Sequence, residues 1–289
     1  MPSVSEHEFE HRTQGTAGNR MEIIRSAANP LVKRIRSLQR RKARYQERAF
    51  VVEGFRAVRD VLAAGVRPQV VVFREGDEDA GVIDLLRQAG LSWRLVEARL
   101  FDTLTDLPHP QGILAVVPMP ERDESPAPST VRDQAPLTLV LDGIRDPGNL
   151  GTLFRSAAGA GVDRIYLTPE TVDPYHPRAV RAAMGAHFRI VFAQISETAI
   201  SDVLLSANVV GRAEAEGDLD YDAVDWTDSA VIIIGGEAFG ASSLVRELSP
   251  LKVRIPLASD VESLNAAVAG SLLVFEAARQ RRLAIGRRS

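Results

Sequence analysis

The stretch that decides the fold reads Asp142-Gly-Ile-Arg-Asp-Pro-Gly-Asn-Leu-Gly-Thr-Leu-Phe-Arg155. It follows the apolar run 137–141, which is typical of a buried strand. After Asn149 the apolar residues recur at the spacing of a helix with one buried face. We therefore predict a strand, a tight turn at Asp146-Pro147-Gly148, and a helix with Asn149 as its N-cap. On that helix Arg155 points away from the core.

Two further loops have the same character. The stretch Ile234-Gly-Gly-Glu-Ala-Phe-Gly240 follows a buried-strand pattern, and its glycines let backbone amides approach a ligand closely. The stretch Ile255-Pro-Leu-Ala-Ser-Asp-Val-Glu-Ser-Leu-Asn265 follows another and opens a helix of small apolar residues, with Ser263 as a possible N-cap. Open α/β sheets bind ligands at the carboxyl ends of their strands. Three such loops therefore predict one composite site.

Composition limits the class of protein. The chain has 289 residues, enough for two ordinary domains, and no cysteine, which excludes disulfides, thiolate metal sites and a cysteine nucleophile. The apolar runs are too short to cross a bilayer. Residues 1–21 have no hydrophobic signal core and are predicted to form a flexible tail. The cytoplasm is the expected compartment, and no membrane partner is expected.

Strand and helix patterns alternate in two units. Residues 22–118 form the smaller α/β unit, and residues 136–289 form the unit that holds the three loops. Between them, residues 119–135 are rich in proline and charge and are predicted to be a linker. The alternation in the second unit indicates a mainly parallel sheet with helices on both faces.

A basic helix is predicted at residues 30–48. It carries eight lysines and arginines in a chain whose net charge is −3, and its first acidic residue is Glu47. Pairing at i,i+4 cannot account for this stripe, so we interpret it as a surface for nucleic-acid phosphates, with a solvated face as the alternative. The residues expected to make these contacts are Lys33, Arg40, Arg41, Lys42 and Arg44.

Several other chemistries are excluded by motif. The five histidines lack the spacing of metal ligands, so no metal site is predicted. The chain has no G-x-S-x-G elbow and no P-loop. A nucleotide-dependent dehydrogenase is rejected because no dinucleotide fingerprint follows a strand.

The three loops together resemble the signature motifs of the SpoU (TrmH) family of RNA 2′-O-ribose methyltransferases. The match is carried by their order, their spacing, and the residues Asn149, Arg155, Glu237, Ser263 and Asn265. The stretch Arg181-Ala-Ala-Met-Gly-Ala-His-Phe-Arg189 is similar to another family segment, although Ala183 stands where serine is common.

The first unit resembles that family's ribosomal-protein-like substrate-binding domain. The similarity lies in Asn29-Pro30, the basic helix, and Phe50-Val51-Val52-Glu53-Gly54. The whole resemblance covers roughly residues 22 to 281. It implies an α/β fold in which a smaller RNA-binding domain precedes a trefoil-knotted, SPOUT-type methyltransferase domain on a parallel sheet. It also implies a homodimer formed through the C-terminal domain.

The resemblance implies S-adenosylmethionine (AdoMet) as cofactor, bound in a bent form by the three loops. The residues expected to contact it are Gly235, Gly236, Ile255, Leu257, Leu264 and Asn265. Arg155 would be the main catalytic residue. The resemblance also puts Asn149, Glu237, Ser263 and Asn265 in the active site.

A ribose hydroxyl is a poor nucleophile and must lose its proton as it attacks the methyl group. The family mechanism implies that Arg155 acts as the base with help from an RNA phosphate, and a milder role is to clamp that phosphate and orient the hydroxyl. Glu237 is the rival carboxylate, and we prefer for it a structural hydrogen-bonding role. The favoured substrate is 23S ribosomal RNA; transfer RNA and a catalytically silent RNA-binding protein on the same fold are the alternatives.

Overall fold

The computed structural model describes residues 22–120, 135–237, 240–258 and 261–286. The predicted tail, residues 1–21, and most of the predicted linker lie outside these residues. The described residues contain one sheet of five strands in the first unit and one of seven strands in the second.

The first unit is a mixed sheet with the strand order β1-β4-β3-β5-β2. Strands β1, β4 and β3 are parallel, and β5 runs antiparallel to both of its neighbours. The strands are β1 (Ile23–Ile24), β2 (Ala49–Glu53), β3 (Val70–Arg74), β4 (Trp93–Val96) and β5 (Ile113–Pro118). The helices are α1 (Pro30–Ser37), α2 (Arg41–Glu47), α3 (Phe55–Ala63), α4 (Ala80–Gln88) and α5 (Ala98–Phe101).

The predicted basic helix at 30–48 is wrong as a single element, because it is the two helices α1 and α2. The apolar side of α1 is buried through Val32 and Ile35, and Leu38 follows it into the core. One more turn of the same helix would bring Lys42 onto that buried side. The chain turns at residues 38–40 instead and starts α2 in a new direction.

The second unit is a fully parallel sheet with the order β10-β12-β9-β11-β6-β7-β8, as the alternating patterns predict. Its strands are β6 (Leu137–Asp142), β7 (Arg164–Leu167), β8 (Val191–Gln194), β9 (Val209–Ala213), β10 (Leu219–Asp220), β11 (Ala230–Gly235) and β12 (Leu251–Arg254). Its helices are α6 (Pro147–Ala160), α7 (Pro177–Ala183), α8 (Glu197–Leu205), α9 (Ser243–Leu248) and α10 (Ala266–Gly286), with a short 3-10 helix at Ala186–Phe188. The sequence patterns missed β1 and β10, which have two residues each.

Helix α6 begins earlier than predicted. Its N-cap is Asp146, whose carboxylate accepts the backbone N–H of Asn149 at 2.9 Å. Pro147 takes the first helical position, where a missing N–H costs nothing. Asn149 is therefore the third residue of the helix, not its cap, and its side chain does not serve the helix end. The predicted buried face is confirmed at Leu150, Leu153, Phe154 and Ala157, and Ala158 is half-buried.

Helix α10 is capped by Asn265 rather than by Ser263. The Asn265 Oδ1 accepts the backbone N–H groups of Ala267 at 2.9 Å and of Val268 at 3.2 Å. The small-residue side of the helix packs inside its own chain, because a Cβ on Gly270 would lie 2.4 Å from the Leu153 side chain of α6. The close packing partner that this side requires is therefore α6, not a second copy.

The two units are joined by a buried ion pair. Arg44 of α2 donates from Nε to Asp173 Oδ2 at 3.1 Å, and Tyr45 donates to Asp173 Oδ1 at 2.9 Å. Both charged side chains are at least 95% buried. Arg44 also donates to the carbonyls of Leu38 and Gln39. Removing one partner of such a pair costs about 3–5 kcal/mol, so this contact holds the first unit on the second.

Aromatic residues extend the junction around His187. Its ring lies 4.9 Å from that of Phe154 and 6.0 Å from that of Tyr175, and Phe50 of the first unit packs beside it. The His187 Nε2 lies 2.7 Å from the carbonyl oxygen of Pro174, which can only accept, so Nε2 carries the proton. Burial lowers the pKa of His187 to about 4, because the charged ring would lose its water.

Acid should loosen the junction through His187. In the unfolded chain the ring takes a proton near pH 6.5, and in the folded chain only near pH 4, so protonation favours the unfolded state. The stability that neutral His187 contributes is therefore fully present above pH 6.5. The free energy of unfolding falls by on the order of 3 kcal/mol as the pH drops from there toward 4. Urea unfolding at several pH values should show that His187→Phe removes this part of the pH dependence. The exposed His109→Phe is the matched control, and identical profiles for His187→Phe and the native chain would contradict the assignment.

Candidate active site and cofactor pocket

The first two loops meet because β6 and β11 pair in parallel. Gly235 at the end of β11 lies opposite Asp142 at the end of β6. Beyond them the backbones touch: a Cβ on Gly236 would be 2.3 Å from the Gly143 carbonyl oxygen. The Asp142 carboxylate accepts the Ser242 N–H at 2.6 Å, which holds the far end of the second loop against the first.

A chain of hydrogen bonds joins all three loops. Asn265 of the third loop donates from Nδ2 to Asn149 Oδ1 at 3.0 Å, and Asn149 donates from Nδ2 to Glu237 Oε1 of the second. An asparagine side chain can accept with one atom and donate with the other, which is what this middle position requires. The structure thus brings Asn149, Glu237 and Asn265 together.

Arg155 lies apart from this chain. It is exposed on α6, as predicted, on the same side of the helix as Gly159 one turn later. A Cβ on Gly159 would be 3.5 Å from the Phe275 ring of α10. Arg155 therefore stands beside an exposed part of the α6–α10 surface, nearly two helical turns after Asn149.

A cavity of about 350 Å³ opens between the second and third loops. The residues predicted to contact a cofactor line it, except Asn265, whose side chain is used by Asn149 and the α10 cap. The lining residues that were predicted for the cofactor or for catalysis are Gly235, Gly236, Ile255, Leu257, Leu264, Glu237 and Ser263.

Sequence reasoning missed part of the lining. Ala213 is the last residue of β9, Glu214 and Ala215 follow it, and Arg246 projects from α9. A general rule could have found these residues, because open α/β sheets bind ligands at the carboxyl ends of their strands and β9 is one of those strands. The sequence pattern predicts that strand only over residues 209–211, and residues 213–215 belong to none of the three predicted loops.

The lining suits a nucleoside that carries an amino acid. The volume falls in the range of small-molecule pockets, and Ile255, Leu257 and Leu264 offer apolar surface for a flat ring. Glu214, Glu237 and Arg246 place charges of both signs on the same wall. Among the described residues, no three His, Asp or Glu side chains are grouped so that they could hold a metal ion.

The basic stripe is confirmed as exposed at four of its five predicted positions. Lys33, Arg40, Arg41 and Lys42 are exposed. Arg44 is the correction: it is 2% exposed and paired with Asp173, because α2 turns this side chain toward the second unit. Within the described ranges no helix is long and apolar enough to span a membrane.

Comparison with known proteins identifies the family. The mitochondrial rRNA methyltransferase 3A of Danio rerio is 33% identical over 315 residues, covering 91% of this chain and 71% of that protein. The 23S rRNA guanosine 2′-O-methyltransferase RlmP of Bacillus subtilis is 31% identical, covering 88% of this chain and 98% of that protein. The chain belongs to the SpoU family. Residues 136–275 match the SpoU rRNA Methylase family, and residues 29–115 match the MRM3-like substrate binding domain.

A solved SpoU-family structure supports the same fold. The AdoMet-bound rRNA methyltransferase from Sinorhizobium meliloti superposes with a TM-score of 0.78 at 31% identity, over 89% of this chain and 97% of that one. The predicted fold class is confirmed as a SpoU-type α/β methyltransferase domain with a smaller α/β domain before it. The trefoil knot that the resemblance implies stays a prediction.

The contact between Gly236 and Gly143 should not tolerate a side chain. Gly236→Ala would force a methyl group against a carbonyl that the β6–β11 pairing holds in place, and we expect a loss of about 1–3 kcal/mol of stability. The matched control is Gly81→Ala in α4, where the nearest atoms are ends of flexible side chains at 3.3 and 3.5 Å. Thermal unfolding of both variants is the measurement. Equal melting temperatures for Gly236→Ala and the native chain would show that the loops can separate freely.

Proposed function

We propose that this protein is an AdoMet-dependent RNA methyltransferase that modifies a ribose 2′-hydroxyl in 23S ribosomal RNA. The main observation in its support is that hydrogen bonds connect Asn149, Glu237 and Asn265 beside a cavity large enough for the cofactor. The substrate class is supported by the names of relatives: one is a 23S rRNA 2′-O-methyltransferase and another a mitochondrial rRNA methyltransferase.

The cofactor is assigned to the cavity at the ends of β9, β11 and β12. Ile255, Leu257 and Leu264 would pack on the adenine, and the Gly235-Gly236 backbone would approach it closely. When bound, AdoMet supplies an electrophilic methyl group. The work left to the protein is to hold the RNA hydroxyl in line with that group and to assist loss of its proton.

Arg155 performs that positioning. Its guanidinium stays charged at working pH, and its planar fork can grip a phosphate with two parallel hydrogen bonds. An RNA phosphate held in this way would orient the neighbouring ribose and stand ready to take the hydroxyl proton. Asn149 and Asn265 keep Glu237 fixed, so we assign Glu237 to the architecture of the site.

Arg155→Ala should abolish methyl transfer while leaving the protein intact. Arg155 is exposed, so its loss leaves no cavity in the core, and AdoMet affinity should stay unchanged because Arg155 does not line the cavity. Arg155→Lys should rescue little, since an ammonium lacks the planar fork. The measurement is single-turnover transfer of labelled methyl to 23S rRNA at saturating concentrations, with calorimetric AdoMet titration alongside.

Two outcomes would count against this scheme in different ways. A near-native transfer rate in Arg155→Ala would remove Arg155 from the mechanism and make Glu237 the next residue to replace. Failure of the native chain to bind AdoMet at all would overturn the enzyme assignment and favour a silent RNA-binding protein.

The exposed cations of α1 and α2 are proposed to bind RNA phosphates. Replacing Arg40, Arg41 and Lys42 by Gln should weaken RNA binding and lower the slope of log K against log salt by about two to three. AdoMet affinity should not change. The control replaces Arg56 and Arg87 of α3 and α4, which are equally exposed. Equal slopes for the triple variant and the native chain would reduce the stripe to a solvated face.

A homodimer is proposed through the exposed side of α10. Val268, Leu272 and Phe275 lie at i, i+4 and i+7 and are 48%, 38% and 46% exposed, which gives one apolar stripe. A second copy covering it would pack beside Arg155. Light scattering should report a dimer, and Phe275→Glu should release monomers. The control Leu205→Glu, at an exposed position of α8, should stay dimeric; a monomeric native chain at micromolar concentration would refute the interface.

A further inference from the structure

The wall of the cavity contains a carboxylate that none of the three loops supplies. Glu214 follows β9, and its backbone N–H donates to the carbonyl of Val253 in β12 at 2.9 Å. Its side chain is 29% exposed, and one oxygen, Oε1, accepts from Arg212 Nε at 2.8 Å. The backbone and one end of the side chain are thus both held.

Arg212 is an unusually firm support for this carboxylate. It is 3% exposed, and its Nη1 donates to the carbonyl of Arg246 at 3.1 Å and to the hydroxyl of Ser249 at 2.8 Å. Ser249 is fully buried at the end of α9. Arg212 Nη1 donates to acceptors that belong to the backbone and to a buried side chain, so the guanidinium is fixed in place. Because Glu214 accepts from the same guanidinium, its carboxylate is held in one orientation toward the cavity.

The position of Glu214 in the sheet points to its ligand. Strand β9 pairs in parallel with β11 up to Arg212 opposite Ile233, so Glu214 and Gly235, each two residues further on, follow neighbouring strands at the same edge of the sheet. In dinucleotide-binding sheets a carboxylate after the strand next to the glycine loop accepts from ribose hydroxyls. The same chemistry is available here, since a carboxylate can accept both hydroxyls of a diol.

We propose that Glu214, held by Arg212, recognises the ribose hydroxyls of the cofactor. The inference rests on the proposed use of AdoMet by this pocket. Hydroxyls suit the site better than a cation does, because Arg212 already offsets the charge of the Glu214 carboxylate. Arg246 also lines the cavity. Glu214 is therefore a residue for cofactor selection, not for the transfer step.

The test uses the full chain and calorimetric titration with three compounds. They are S-adenosylhomocysteine, 5′-methylthioadenosine, which lacks the amino acid, and the 2′-deoxy form of 5′-methylthioadenosine. Glu214→Gln should bind the first two about ten- to a hundred-fold more weakly, the range for hydrogen bonds to a charged group. The native chain should bind the 2′-deoxy compound at least ten-fold more weakly than 5′-methylthioadenosine, and Glu214→Gln should bind the two alike.

The comparison of ligands on the native chain does not depend on how well the variant folds. The control variant is Glu216→Gln, an exposed position two residues away that does not line the cavity, and it should bind all three compounds normally. Equal affinities of Glu214→Gln and the native chain would overturn the inference and leave Glu214 as a partner of Arg212 alone.

Three other results would also reject it. Weaker binding of S-adenosylhomocysteine by Glu214→Gln, with 5′-methylthioadenosine unaffected, would move Glu214 to the amino-acid ammonium. Absence of any AdoMet or S-adenosylhomocysteine binding by the native chain would reject the proposed function itself, and Glu214 with it. Binding by the native chain without discrimination of the 2′-deoxy compound would reject only the ribose contact.

Discussion

The parallel pairing of β6 with β11 is the constraint on which the site depends. It sets Gly235 opposite Asp142, and it presses the next residues together until only a glycine fits at Gly236. Once these two backbones are in contact, the first and second loops have no independent freedom at their bases. The cavity and the hydrogen-bonded residues beside it are arranged around that contact.

Hydrogen bonds between polar side chains then fix the three loops relative to one another. Asp146 takes over the cap of α6, which leaves the Asn149 side chain to bridge Glu237 and Asn265. Asn265 in turn caps α10 with the oxygen that Asn149 does not use. Asn265 therefore serves both a helix end and a neighbouring loop, and Asn149 ties the three loops together, which restricts how the loops can move against one another.

The first unit is connected to the same place. Asp173, the partner of Arg44, lies in the segment that follows β7, where Val172 donates its N–H to the carbonyl of Ile144 at 2.8 Å. The Gly143 N–H is held by the hydroxyl of Thr171 at 3.1 Å. A short path of fixed contacts thus runs from helix α2 to the first loop. This path fixes the first unit in position against the cavity of the second.

Most of the fold and the core of the site followed from the sequence, because strand and helix periods and the placement of loops at strand ends are local properties of the chain. They are enough to predict the parallel sheet, the exposure of Arg155 and the three loops. The tertiary structure alone decided what depends on distant neighbours. It buried Arg44 against Asp173 and assigned the helix caps by competition among adjacent polar residues. It also placed Glu214 in the lining of the cavity, because β9 lies between β11 and β12 in the sheet. That neighbourhood cannot be predicted from the order of the strands in the chain.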